Sequence, residues 1–443
     1  MVDSYRILLL GECPWVPSSM GKVTLWLASE LIEMGHEVVT SCFGGPTTTL
    51  WSRVFYYNPR HQCRDDRFRD LLPDVDVPTV FARRDGLVED AVAALGGLDA
   101  VVVYGSHHAG EIGSWVNSEV YAKWSSRGRP AVAYHQIDLP YEKAGHALSV
   151  ASYSVATYPS IFSKSVAVES VGWLFRKRNG SATAEKFAEY TAVVYHGIDT
   201  NIYSEKTAKV IRESPKMVRS VNRKIVAFFS KNHPRKDYAS LVRCVAKLRK
   251  RGFDVAAGAY FTNAVAVPVW DVSWLSEYVS RVEGVDMDGA ILTLPPAELA
   301  LGLTEPALIE IYVIATDIHA YMSRGESFGI PPLETVMLGV PTVSSDIPPQ
   351  REIWGDTIPL IRTAVHMREG WVGYEPDPEH CAQVCEEILV KGQDLSRARE
   401  RVLGMFTARH MAQHMLSALA KAFESPEPIA KKVSEVGEVL GLR

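Results

Sequence analysis

No run of about 18 apolar residues occurs in the 443-residue sequence, so nothing in it reads as a transmembrane helix. The opening, M-V-D-S-Y-R-I-L-L-L-G, leads straight into a strand and lacks the cleavage pattern of a secretory signal, and the expected location is cytoplasmic. Charge of neither sign is in excess: 47 Lys and Arg stand against 52 Asp and Glu, a net charge of −5. That balance provides no electrostatic footprint for nucleic acid. Cysteine is also scarce. The six lie at positions 13, 42, 63, 244, 381 and 385, with neither the paired spacing of a zinc site nor the density of a disulfide framework. Cys381 and Cys385 can share one helix face, as half a metal site or as two small residues of a packed helix; the second reading is the expected one. What remains is ordinary for a globular protein, with 47% apolar and 22% charged residues. The length suits two domains of about 200 residues, each with its own core.

The pattern that is present is strand, loop, helix, strand, and it occurs near the start of each half. Residues 7–10 form an apolar strand. The loop G-E-C-P-W-V-P-S-S-M-G-K leads from it to an amphipathic helix at 23–34, closed by Gly35, and a second strand follows at 36–42. In the second half a strand at 225–229 runs into S-K-N-H-P-R-K-D, with Lys231, Arg235 and Lys236 in one turn, before a helix at 238–251. Between the halves, residues 204–223 are charged, contain Pro215 and lack an apolar period, so they read as a linker. This order predicts an α/β protein with doubly wound sheets, which bind ligands at the carboxyl ends of their strands. Two further strands, 98–104 and 130–134, end in His107-His108 and in His135; His135 is the stronger site candidate.

The densest chemistry lies at 324–346, R-G-E-S-F-G-I-P-P-L-E-T-V-M-L-G-V-P-T-V-S-S-D. Gly325 and Gly329 loosen the backbone, and Pro331 and Pro332 favour a first helical turn. A helix at 333–338 and a strand at 340–343 should follow. Unpaired N–H groups at that helix start would suit an anion. Glu326 and Glu334 bracket the site. Carboxylates beside an anion need hydroxyl partners, which a sugar supplies, although two acids capping a tight turn would show the same spacing.

This E-x7-E segment, with F-G-I-P-P-L-E inside it, resembles the signature of retaining glycosyltransferases of the GT-B fold, especially family 4 (group 1). The resemblance implies two Rossmann-like doubly wound domains with a cleft between them. It sets an acceptor-side domain at 1–203, a linker at 204–223, a nucleotide-sugar domain at 224–405, and helices at 406–443 that cross back to the first domain. It places Glu326 at the donor sugar, Glu334 at the nucleotide ribose, and the amides of Phe328 and Gly329 at the diphosphate. Lys231 and Lys236, with Arg235 adjacent, hold the places of the family's diphosphate cations, on what is expected to be an exposed loop. His135 falls where the family has a histidine near the donor sugar. In the first loop the family carries two glycines, of which only Gly21 matches, leaving Ser19 and Lys22 without a firm role. The turn V-V-Y-H-G-I-D-T-N-I-Y at 193–203 is similar to the one that closes the family's first domain.

The activity implied is transfer of a hexose from a nucleoside-diphosphate sugar to a glycan, glycolipid or small hydroxyl acceptor, with retention of configuration. No cofactor and no metal are expected, because the cations take the place of a divalent ion. The D-x-D triplets at 74–76 and 286–288 read as structural. Two alternatives share the donor site: a sugar-nucleotide epimerase, and a nucleotide-sugar-binding protein without turnover. The run from Trp173 to Arg178 (W-L-F-R-K-R) is a candidate contact with an anionic membrane surface. A helix with one buried and one solvated side is the favoured reading of it.

Overall fold

The computed structural model describes residues 4–16, 18–42, 54–80, 87–106, 124, 127–140, 148–177, 179–217, 219, 221–262, 270–294, 303–368 and 371–440. Contacts divide the chain into two units. One is Met1–Asp199 together with Met405–Arg443, and the other is Thr200–Gly404.

The first unit is built on an eight-stranded sheet in the order β3-β4-β2-β1-β5-β6-β7-β8. Its strands are β1 (Arg6–Gly11), β2 (Glu37–Cys42), β3 (Val54–Tyr57), β4 (Val77–Val80), β5 (Ala100–Ser106), β6 (Ala131–Gln136), β7 (Val155–Tyr158) and β8 (Thr191–Val193). All neighbours pair in parallel except β3 with β4. Ile7, Leu8, Leu9 and Val101–Val103 are buried whichever way they point, as a sheet covered on both faces requires. The Ala408–Glu424 helix packs on the Ser19–Glu33 helix. It is tied in by Ile198, whose N–H donates to the Phe406 carbonyl at 3.0 Å. Gly197 allows that crossing, since a Cβ there would lie 2.1 Å from the Thr407 carbonyl oxygen.

The second unit carries a six-stranded sheet in the order β11-β10-β9-β12-β13-β14. These are β9 (Lys224–Lys231), β10 (Val255–Thr262), β11 (Ile291–Leu292), β12 (Ile318–Tyr321), β13 (Thr342–Ser345) and β14 (Leu360–Ile361), all parallel. Counted from β9, the order is third, second, first, fourth, fifth, sixth, so the winding reverses between β9 and β12. Ligands of such sheets bind in the crevice at that reversal. An antiparallel ribbon, β15 (Thr363–Arg368) with β16 (Trp371–Pro376), follows β14.

The stretch expected as a linker is partly helical. Glu205–Glu213 is a helix that buries Thr207, Ala208 and Ile211, and it belongs to the second unit. Its few apolar residues do fall on one face, a short helical period that the surrounding charges masked. Residues 165–192 hold the end of the Ile161–Leu174 helix and the Gly180–Glu189 helix. These approach closely because Gly172 and Gly180 face each other; a Cβ on Gly180 would lie 2.2 Å from the Gly172 carbonyl oxygen.

Candidate active site

The loops after β9 and β12 are zipped together at the strand-order reversal. Lys236 and Ser323 form an antiparallel bridge. The Asp237 N–H donates to the Met322 carbonyl at 2.9 Å and the Arg324 N–H to the Arg235 carbonyl at 2.8 Å. This backbone register sets the side chains of Arg235 and Lys236 against Glu326. Arg235 Nη1 donates to Glu326 Oε2 at 2.8 Å and to the Gly325 carbonyl at 3.0 Å. Lys236 Nζ donates to Glu326 Oε1, and to the Tyr321 hydroxyl at 3.2 Å. The Ser323 hydroxyl completes the shell with a 2.6 Å bond to Glu326 Oε1. Burial alone would raise the Glu326 carboxyl, but the charges of Arg235 and Lys236 and the Lys236 and Ser323 hydrogen bonds hold it down to about 2.

Lys236 is only 6% exposed. The exposed basic loop expected from the sequence is therefore wrong for this residue, because its ammonium turns inward to a carboxylate. Lys231 does behave as expected of a loop cation. It is exposed at the end of β9 and has no ion pair among the described residues. The structure thus brings Arg235 and Lys236 to Glu326 and leaves Lys231 outside the cluster.

The helix after the loop runs Pro331–Met337, two residues earlier than the sequence suggests. Its start is not the anion cradle expected. Pro331 and Pro332 have no N–H, and the N–H groups of Leu333 and Glu334 both donate to the Ile330 carbonyl. Any amide contact to an anion must come from the preceding loop. There Gly329 has φ +99°, a backbone that side chains rarely adopt. A Cβ at Gly329 would also lie 2.6 Å from the Gln350 amide nitrogen. Gln350 holds this loop in place: its amide donates to the Phe328 carbonyl, and its carbonyl oxygen accepts from Ser344 at 2.9 Å and Trp354 at 3.0 Å. Glu334 is 1% exposed and accepts a 2.9 Å bond from the Tyr312 hydroxyl. Burial first, and then the Glu334 charge, push Tyr312 well above the usual tyrosine range.

In the first unit Gly21 stands on the Ser19–Glu33 helix against the loop after β1. A Cβ there would lie 2.3 Å from the Val16 carbonyl oxygen, so the glycine lets the loop fold back onto the helix. Ser18 caps this helix through the Gly21 N–H at 3.0 Å and donates its hydroxyl to Glu12. His135 lies near the end of β6. It is fully buried, edge-on to Tyr158 with ring centroids 6.0 Å apart. Strand alternation puts Tyr134 and Gln136 on the opposite side of β6 from His135.

That opposite side carries a polar cluster the sequence did not reveal. Tyr134 Oη lies 2.7 Å from the Val194 carbonyl and 2.6 Å from His196 Nδ1, and Gln136 Nε2 lies 3.2 Å from His196 Nε2 and 2.6 Å from the Tyr104 hydroxyl. Tyr134 has one proton and gives it to Val194. His196 must then donate from Nδ1 and accept at Nε2, a neutral tautomer assigned from the network. Burial pulls this imidazole down to about 3. Only the parity of strand residues and the histidine in the 193–203 turn hinted at the cluster. His107 and His108 lie outside the described residues.

The D-x-D triplets are held by local bonds. Asn58 Nδ2 donates to Asp74 at 3.2 Å and to Asp76 at 3.1 Å, and Asp286 accepts from the Asp288 N–H at 2.9 Å.

Residues 298–402, which contain Glu326, Gly329 and Glu334, match the family of glycosyl transferases group 1. The fold is GT-B. The chain resembles a glycosyltransferase from Rickettsia africae ESF-5 at a TM-score of 0.59 and 14% identity, over 95% of this chain and 99% of that one. A UDP-forming alpha,alpha-trehalose-phosphate synthase from Burkholderia xenovorans matches at a TM-score of 0.60 and 12% identity, over 99% and 100%. Sucrose-phosphate synthase from Thermosynechococcus elongatus matches at 0.58 and 15%, over 94% and 99%. At such identities the likeness defines the fold. No curated protein sequence matches the chain. Among the described residues no helix is long and apolar enough to cross a membrane.

Proposed function

We propose that the protein is a glycosyltransferase that moves a hexose from a nucleoside-diphosphate sugar to a hydroxyl of a glycan, glycolipid or small acceptor, with retention of configuration. The observation that carries this reading is the pairing of Glu326 with Arg235 and Lys236 at the strand-order reversal, inside the segment that matches glycosyl transferases group 1. Two cations in a largely buried site need a counter-charge, and Glu326 supplies it before donor arrives. A diphosphate takes over the donors of Arg235 and Lys236. The Glu326 carboxylate is then released to accept from sugar hydroxyls.

As the bond between the anomeric carbon and the phosphate oxygen breaks, negative charge grows on the leaving diphosphate. Preorganised Arg235, Lys236 and the Phe328–Gly329 amides stabilise that charge, and the reading needs neither divalent ion nor cofactor. The acceptor oxygen bonds to the carbon on the same face, and its proton passes to the departing phosphate oxygen. Glu334 accepts from the ribose. Lys231, exposed nearby, steers the anion, Gly21 shapes the loop after β1, and His135 is the first unit's candidate contact for the donor sugar.

The test is a melting-temperature screen of nucleoside-diphosphate sugars in EDTA, followed by transfer assays with hydroxyl acceptors. Glucose 6-phosphate belongs in the acceptor set, because a fold relative from Burkholderia xenovorans was solved in complex with it. A donor at 100 times its Kd adds about 2.7 kcal/mol to stability. One sugar nucleotide should raise the melting temperature and give an acceptor-dependent product. No shift with any of them removes the donor site, and an altered sugar nucleotide formed without acceptor makes the protein an epimerase.

A further inference from the structure

Three thiols that the proposed reaction does not use meet in the core of the second unit. Cys244 is on the buried face of the Tyr238–Lys250 helix, and Cys381 and Cys385 are one turn apart on the buried face of the Pro378–Lys391 helix. Their sulfurs all lie within 4.8 Å of one another, with Cys381 and Cys385 at 3.9 Å. All three are free thiols with no exposed surface, in an apolar cluster with Val242, Val245, Ala382 and Ile388. Metal–thiolate bonds are about 2.3 Å long, so three sulfurs in a plane around one ion stand about 4 Å apart. The cluster is within about 1 Å of that triangle.

We propose that Cys244, Cys381 and Cys385 form a three-sulfur site for a soft, thiophilic metal ion, with Cu(I) the best match. An all-sulfur donor set selects such ions over Mg2+ or Ca2+. Zn2+ normally takes four ligands, and among the described His, Cys, Asp and Glu side chains these three sulfurs form the whole group. The apolar walls give a water no polar partners with which to serve as a fourth ligand. Cu(I) is satisfied by three sulfurs.

Binding of Cu(I) also balances without a redox step. Cu(I) displaces two thiol protons to solvent and no electron moves. The product, one Cu(I) with two thiolates and one thiol, carries a net charge of −1.

The ion would clamp two helices that flank the Glu326 cradle. The Tyr238–Lys250 helix begins just after Lys236, and the Pro378–Lys391 helix follows the ribbon whose Tyr374 N–H donates to the Arg324 carbonyl at 2.9 Å. The site shares no residue with the donor reading, so the two proposals fail separately.

The test uses the full chain, reduced and anaerobic, refolded from denaturant with a Cu(I)–acetonitrile complex and then challenged with the chelator bathocuproine disulfonate. One copper per chain should be retained, with thiolate-to-copper luminescence and a higher melting temperature. X-ray absorption should show three sulfurs near 2.3 Å. Cys381→Ala and Cys385→Ala should each weaken retention at least tenfold, whereas Cys63→Ala should not change it. Loss of all copper from the wild-type chain, a two-sulfur absorption spectrum, or undiminished retention by the Cys381→Ala/Cys385→Ala double variant overturns the proposal. The absorption measurement needs no variant, so a substitution that fails to fold leaves the test intact.

Discussion

The Arg324 guanidinium meets the Asp237 carboxylate at 2.7 Å and locks the loop after β12 to the loop after β9. Asp237 is fully buried and also caps the Tyr238–Lys250 helix, accepting from the Ser240 N–H at 3.1 Å and hydroxyl at 2.8 Å. Arg324 in turn holds the ribbon, since its carbonyl accepts from the Tyr374 N–H. The register that presents Arg235 and Lys236 to Glu326 therefore rests on a side-chain pair outside the proposed chemistry.

Arg324→Ala should lower the unfolding free energy by about 3 kcal/mol, because it strands a buried Asp237 charge. Turnover should fall by roughly 100-fold, the scale of a catalytic group displaced by about 1 Å. Arg324→Lys should recover part of the stability. An unchanged urea midpoint in the alanine variant would show that the pair does not hold the loops.

Lys236 is buried against Glu326, so Lys236→Ala should cost about 3–5 kcal/mol of stability as well as abolish transfer. The double variant Lys236→Met/Glu326→Gln should regain most of that stability and remain inactive. Its recovery separates folding from chemistry. If the double variant is as unstable as the single one, the buried pair is not the source of the loss.

How much of this was legible in the sequence depended on distance along the chain. The strand–loop–helix units and the E-x7-E segment are local patterns, and the structure has strands and loops at those places. The Arg324–Asp237 pair spans 87 residues and the Arg235–Glu326 pair 91, so no spacing rule points to them. Cys244 joins Cys381 and Cys385 only when two helices pack. The strand that ends near His135 was placed from the sequence, but not the polar cluster that its neighbours Tyr134 and Gln136 build on the opposite side, where a period of two puts them. The paired prolines favoured a helix start in the sequence, yet they removed the N–H groups that an anion would need.

Glu334→Ala should weaken binding of the free nucleoside diphosphate by about tenfold, the loss of one charge-assisted hydrogen bond of about 1.5 kcal/mol. The Tyr312 hydroxyl loses its acceptor as well, so Tyr312→Phe is the control for damage to the core. Calorimetric titration that finds equal affinity for the diphosphate in wild type and Glu334→Ala takes this carboxylate off the ribose.

Acid should destabilise both units from about pH 6.5 downward. Burial holds His196 in the first unit and His319 in the second at about 3, against the ordinary 6.5. Between those values the unfolded chain takes up a proton at each position and the folded chain does not. Stability is thus fully present above pH 6.5 and falls by about 1.4 kcal/mol per pH unit for each histidine. His319→Gln should flatten the pH dependence of the second unit's unfolding by one proton; an unchanged slope would mean that His319 titrates normally in the fold.

Vesicle binding is the last expectation, and the structure narrows what can carry it. Trp173 is 60% exposed, with the Arg176 guanidinium 4.1 Å from its ring centre, but Phe175 is 3% exposed and packs in the core. The side chain of Arg178 lies outside the described residues. One indole and the cations Arg176 and Lys177 remain, at about 1 kcal/mol per cation near an anionic surface. That supports only weak, reversible attachment. Sedimentation with anionic vesicles should be partial at low salt and lost as salt screens the cations. It should weaken in Trp173→Ala and in the Arg176→Ser/Lys177→Ser double variant. Equal sedimentation of the variants would move any contact elsewhere, and no sedimentation of the wild type would favour a soluble acceptor.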